Sequence, residues 1–188
     1  LGAVKCFLGL SSERAYKRFY PAVDPLYSWS RYLDQLKAQL DSELDPNWTA
    51  SVKRMTDLLH RGDSVYQMMQ VTGEEGVTLA DYMDYQRSTF LDMVFLQQDA
   101  FDPVDISMST ERQKESFQLV RRLIERDYQF TEKEQIRDYF TRQTGLMKNL
   151  NYAVWNSEPF QRLMIQITEL ERQALTAPNM VAGPASHA

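Results

Sequence analysis

An all-α multi-helix bundle, entered by a short β-strand and loop, is the fold class this sequence predicts, and three observations carry the prediction. Apolar residues recur at three- and four-residue steps over several long stretches, the period of one buried helix face. Hydroxyl residues stand just ahead of these stretches, at Thr78, Ser109, Thr131 and Ser157, where helix caps belong. Seven Gly and seven Pro in 188 residues fall below average usage of either, so few breaks are available.

Val4-Lys5-Cys6-Phe7-Leu8 is a strand-like run ended by Gly9, too isolated to make a sheet by itself. Ser11 or Ser12 caps a short helix over residues 13–19, after which Pro21 and Pro25 forbid regular structure. Residues 30–44 resume helical spacing, with Tyr32-Leu33, Leu36 and Leu40 on one face, until Asp45-Pro46 ends the run. From Trp48 the positions Val52, Met55, Leu58-Leu59, Val65-Tyr66 and Met69 continue it, with Gly62 as a break between two helical pieces. Residues 72–76 stop the pattern. Thr78 caps a helix whose face, Leu79, Tyr82-Met83, Phe90 and Met93-Val94, leads straight into Gln97-Gln98. Ser109 opens the next, with Phe117, Val120, Leu123-Ile124 and Tyr128 inward. Thr131 with Glu134 reads as a capping box for a helix bearing Ile136, Tyr139-Phe140, Leu146-Met147, Leu150 and Val154. The last helix starts at Ser157 with Pro159 in its first turn and carries Phe160, Leu163-Met164, Ile167 and Leu170. Beyond Thr176, small residues and Pro read as a loose tail.

Composition narrows the function classes. A chain of 188 residues buries roughly 70% of its unfolded surface in one domain, which leaves no room for a second of full size. A net charge of −5 provides no basic stripe for nucleic acid or anionic membrane. With one cysteine, Cys6, there is no internal disulfide, which fits a reducing compartment, and Cys6 itself reads as a small core residue. Two scattered histidines make no structural-zinc set, and His60 belongs to a helix surface. No apolar run approaches the roughly 20 residues of a membrane span. The opening Leu1 in place of Met reads as a fragment, and residues 4–8 as the last strand of something removed.

No Gly-x-x-x-x-Gly-Lys-Ser/Thr phosphate loop, His-Glu-x-x-His pair or Ser-His-Asp set occurs. Asp81, Asp84 and Glu125 are the carboxylates that a self-contained bundle enzyme would have to bring together. Two aromatic corners remain. Phe95-Leu96-Gln97-Gln98-Asp99-Ala100-Phe101-Asp102-Pro103-Val104-Asp105 breaks an amphipathic pattern with polar residues and a proline, and Phe19-Tyr20-Pro21-Ala22-Val23-Asp24-Pro25 does the same upstream. From composition alone Tyr20 and Phe101 read as core aromatics. The turn Gly73-Glu74-Glu75-Gly76, with Asp81 beyond it, reads likewise as a solvated connector.

The downstream corner resembles the Phe-Leu-Gln-Gln-Asn-Ala-Phe-Asp-x-Val-Asp signature of the catalytic A-type chain of V-type and A-type rotary ATPases. Asp99 departs from it, standing where Asn is usual, as does the Ser107-Met108 pair beyond, where Tyr-Cys is common. Tyr20-Pro21-Ala22-Val23-Asp24-Pro25-Leu26 leans toward the related F-type β subunit, whereas Trp29-Ser30-Arg31-Tyr32 leans toward the catalytic chain of the V and A types. The resemblance runs in order over about residues 4–170.

It implies that residues 1–28 end a nucleotide-binding domain, residues 29–175 form the C-terminal helical bundle, and residues 176–188 are a flexible tail. It implies that Tyr20 and Phe101 sandwich the adenine of ATP or ADP, with Gln98 as a polar neighbour. Stacking contributes about 1–3 kcal/mol per ring. The phosphate loop, catalytic glutamate and magnesium site would lie in the missing domain of the same chain, and an arginine would come from a neighbouring B subunit, so this stretch alone would be inactive. The turn bearing Gly73, Glu74, Glu75, Gly76 and Asp81 occupies the place of the lever that presses on the central stalk, softened here by its two glycines. A cytoplasmic location follows, peripheral on the membrane in the head of an ATP-coupled proton or sodium pump, with no nucleic-acid partner and no membrane insertion. The alternative is a free-standing helical protein-interaction module with Met-rich and aromatic faces.

Overall fold

The computed structural model describes residues 4–176. In chain order these form β1 (Cys6–Phe7), α1 (Ser12–Tyr16), β2 (Trp29–Ser30), α2 (Tyr32–Gln35), α3 (Lys37–Glu43), α4 (Trp48–Thr72), α5 (Leu79–Leu91), α6 (Thr110–Glu125), α7 (Lys133–Tyr152) and α8 (Glu158–Thr176). A 3-10 turn, Glu74–Gly76, precedes α5, and a π-turn, Asp92–Leu96, continues it. The predicted all-α bundle is thus the observed class, with β1 and β2 pairing antiparallel as a two-stranded ribbon.

The core follows from the helical period. α5 lies against α4 on one side and α7 on the other, and α8 closes onto α7. Tyr82, Phe90, Leu123, Ile136, Phe140, Met147 and Ile167 are buried together, each adding roughly 1.5–3 kcal/mol by leaving water. Polar groups inside this core are matched. Tyr139 and Tyr128 share a hydroxyl hydrogen bond of 2.6 Å, Tyr128 donates to the Leu123 carbonyl at 2.9 Å, and Gln143 bridges Tyr139 to the Ile167 carbonyl. Burial pushes both tyrosine hydroxyls above their usual pKa, so they stay neutral donors. Glu171 on α8 is buried between Arg126, at 2.8 Å, and Arg122, at 3.1 Å, which ties α8 to the end of α6.

Several sequence expectations change. Gly62 does not break α4, which runs 25 residues unbroken. A Cβ there would collide with the Ser88 side chain of α5, so the glycine is a packing site where two helices touch. Residues 30–44 form two short helices that meet at Leu36, and no residue of either is buried. The α7 start is shifted by one residue, since its cap is Glu132 and the side chain reaching back is Gln135, whose Oε1 accepts from the Thr131 and Glu132 amides at 2.9 and 3.4 Å. Cys6 is exposed rather than core, because no described element packs over the β1–β2 ribbon. The expected tail beyond Thr176 lies outside the described residues. His60 is exposed as expected.

Candidate functional site

The two corners meet. The Gln98 amide donates to the Tyr20 carbonyl at 2.5 Å, an isolated antiparallel bridge between segments nearly eighty residues apart in sequence. The Tyr20 and Phe101 rings lie 6.5 Å apart, edge to face at 84°. Tyr20 is 40% exposed and Phe101 89%, so neither is the core aromatic that composition alone predicts. Two large rings held at a cleft but kept in water mark a surface meant for contact.

Local chemistry builds the corner. The π-turn gives α5 a wider last turn, a geometry that recurs at functional sites. Asx turns then fold residues 99–105: Asp99 Oδ1 accepts the Phe101 amide at 2.9 Å, and Asp102 Oδ1 accepts the Val104 and Asp105 amides at 2.8 and 2.9 Å. Asp105 is buried; its Oδ2 accepts the Asp99 amide at 2.6 Å, and its carbonyl accepts from Gln98 Nε2 at 3.3 Å. Desolvation raises the Asp105 pKa, partly opposed by the Asp99 hydrogen bond and by Arg112. Arg112, also buried, donates from Nη2 to the Leu150 and Asn151 carbonyls at 3.2 and 2.8 Å, a cation at the C-terminal end of α7. Asn151 in turn donates to the Val94 carbonyl of the π-turn at 2.9 Å. α6, α7 and the π-turn are therefore cross-linked directly beneath the corner.

The resulting cleft has a volume of about 270 Å³. That is slightly below the range of drug-sized pockets and suits one ring system with its surroundings. Tyr20, Gln98 and Phe101 all line it, joined by Lys148 and Tyr152 of α7, with the Tyr152 hydroxyl donating to Asp99 Oδ2 at 3.3 Å. Sequence reasoning missed the α7 wall. Lys148 and Tyr152 share a face at i, i+4 spacing, but nothing in a sequence says which neighbour that face meets.

The acidic turn sits at the opposite end of α5, about 20 Å away for 13 helical residues. Gly73 adopts φ +77°, the left-handed region that favours glycine after a helix end. A Cβ on Gly76 would collide with the Thr72 side chain. Rather than soft, the turn is fastened to α7: Lys133 Nζ donates to the Glu74 carbonyl at 2.5 Å, and Arg137 pairs with the Glu74 carboxylate. Thr78 caps α5 by accepting the Asp81 amide at 3.1 Å, and its hydroxyl donates to Asp81 Oδ2. Glu75 is left exposed.

Asp81, Asp84 and Glu125 do not converge, since each has its own partner in Thr78, Arg61 and Arg54. No three of His, Cys, Asp and Glu among the described residues form a metal-binding group. No described helix is long and apolar enough to cross a membrane.

A helical bundle that folds an aromatic cleft against a preceding segment is the class of protein defined here, a C-terminal helical domain. The family description "C-terminal domain of V and A type ATP synthase" matches residues 37–148, and the chain belongs to that family. It is 34% identical over 173 residues to the V-type ATP synthase alpha chain of Protochlamydia amoebophila, covering 92% of this chain and 29% of that one. The alpha chain of Chlamydia pneumoniae is 38% identical over 160 residues, covering 85% and 27%. Alpha chain 1 of Treponema pallidum is 39% identical over 160 residues, covering 85% and 25%. The chain therefore spans less than a third of these relatives' length.

Proposed function

We propose that this chain is the C-terminal helical part of a catalytic alpha chain, supplying the adenine side of an ATP pocket and carrying motion to a central stalk. The observation that supports this best is the meeting of Tyr20 and Phe101 at one open cleft, with Gln98 bridged to Tyr20. An adenine on these rings gains about 1–3 kcal/mol per ring, enough to orient ATP or ADP but not to hold it without phosphate contacts. Because the rings now stand edge to face, a sandwich requires Phe101 to turn, and its exposure leaves it free to do so. Phosphate, magnesium and catalytic glutamate are tasks of the preceding nucleotide-binding domain, of which residues 1–28 are the end, and a neighbouring B subunit completes the site.

Transmission runs along α5. Closure of the cleft on nucleotide would swing the bundle, and the turn of residues 73–76 with Asp81 would press on the stalk at the other end. In this reading the work is ATP-coupled proton or sodium transport by a head that sits on the cytoplasmic side of a membrane.

Replacing Phe101 by Ala in the full-length alpha chain tests the adenine role. The nucleotide concentration for half-maximal hydrolysis is expected to rise about tenfold, the value of one stacking contact, and an unchanged value removes the role. A cysteine at Glu75 should cross-link to the central stalk in the assembled enzyme; failure at every position from 73 to 77 removes the stalk contact.

A further inference from the structure

The cleft depends on how the segment carrying Tyr20 is fixed to the bundle, and one contact outside the cleft governs this. Arg14 Nη1 lies 2.8 Å from both carboxylate oxygens of Asp92, the first residue of the π-turn. The Arg14 side chain is only 12% exposed and that of Asp92 25%. The guanidinium also sits 4.9 Å from the centre of the Phe19 ring, one residue before Tyr20. Beyond the other end of the π-turn, Gln98 donates to the Tyr20 carbonyl. The same segment is therefore pinned on both sides of the turn that aims Gln98 and Phe101.

Packing does not do this work. A cleft of about 330 Å³ separates the segment from α4 and α5, and both Arg14 and Asp92 line it, so the ion pair crosses a gap. A half-buried pair of this kind is screened less than a surface pair, and removing one partner strands the other's charge away from water.

We infer that Arg14 and Asp92 are a positioning pair that sets the gap between Tyr20 and Phe101, and with it the apparent affinity for nucleotide; this rests on the adenine reading above. The pair touches no ligand. It acts by holding the upstream corner in register with the downstream one.

The test uses the full alpha chain in its assembled complex, with ATP as the probe. Asp92→Asn keeps the side-chain shape and removes the charge. The half-maximal ATP concentration is expected to rise about tenfold, between the effects of exposed and buried pairs, while the rate at saturating ATP stays within about twofold. Arg14→Asp combined with Asp92→Arg should recover most of the loss that either reversal alone produces. Amide hydrogen exchange over residues 97–101 should quicken in the Asp92→Asn enzyme while the bundle helices keep their protection. An unchanged half-maximal concentration in Asp92→Asn, beside a raised one in Phe101→Ala, overturns the positioning role and leaves the adenine reading standing. Unchanged values in both variants remove the adenine reading itself. Faster exchange throughout the bundle, with no recovery in the double reversal, would make the pair a fold contact only and overturn the inference.

Discussion

In the bundle, Phe140, Ile136 and Leu123 are almost wholly shut away from water, whereas in residues 4–31 Phe7, Leu8, Leu10, Tyr16 and Tyr27 stand in it. The first region coheres by apolar packing closed with matched polar groups. The second is attached through a few directional links: the Arg14–Asp92 pair, the Tyr20–Gln98 bridge, and Leu26 resting against the core. The contrast teaches that stability and the geometry of the aromatic cleft rest on different residues, so mutations should separate them.

The largest effect should come from Phe140→Ala, which leaves a cavity beside Phe90 and Tyr139. A loss of about 3–5 kcal/mol is expected in chemical denaturation, and a loss below about 1 kcal/mol would erase the distinction between the regions. Next, Gly62→Val drives a branched side chain into Ser88 and should destabilise by about 1–3 kcal/mol; tolerance of valine would mean that α4 and α5 are free to separate.

A smaller, pH-dependent effect belongs to Asp105. Its folded pKa is raised by burial above the ordinary 3.8, so the folded state holds a proton more tightly than the unfolded chain. Wild-type stability should therefore fall as pH rises from 3.8 through the raised value, whereas Asp105→Asn lacks that slope. Denaturation midpoints of both proteins across this window check it, and parallel curves would show that burial does not control the carboxyl. Smallest of all, Leu10→Ser in the exposed segment should change stability by no more than about 0.5 kcal/mol. A larger loss would mean that the segment shares the cohesion of the bundle.

Much of the fold was legible because helical period and caps are local. Thr78 and Ser109 cap α5 and α6 as the sequence predicts, and the core faces of α6, α7 and α8 are those read from spacing. The two corners could be found as motifs, and the structure brings Tyr20, Gln98 and Phe101 to one cleft. What escaped depends on three-dimensional pairing. Gly62 reads as a break along one helix, yet its meaning lies in Ser88 of another. Arg14 and Asp92 are 78 residues apart and nothing in either neighbourhood names the other. The π-turn is invisible to a scan at 3.6 residues per turn, because its residues fit the pattern until the backbone widens.

That widened turn also makes the length of this stretch matter. Deleting one residue between Asp92 and Leu96 would let the chain relax to ordinary α-helical winding and rotate everything after it by about 100° around the axis. Gln98 would then face away from Tyr20, and Phe101 would leave the cleft. Residue count here is a constraint in its own right: substitutions within residues 92–96 can be absorbed one at a time, whereas a single omission would misdirect every side chain downstream as far as the loop allows.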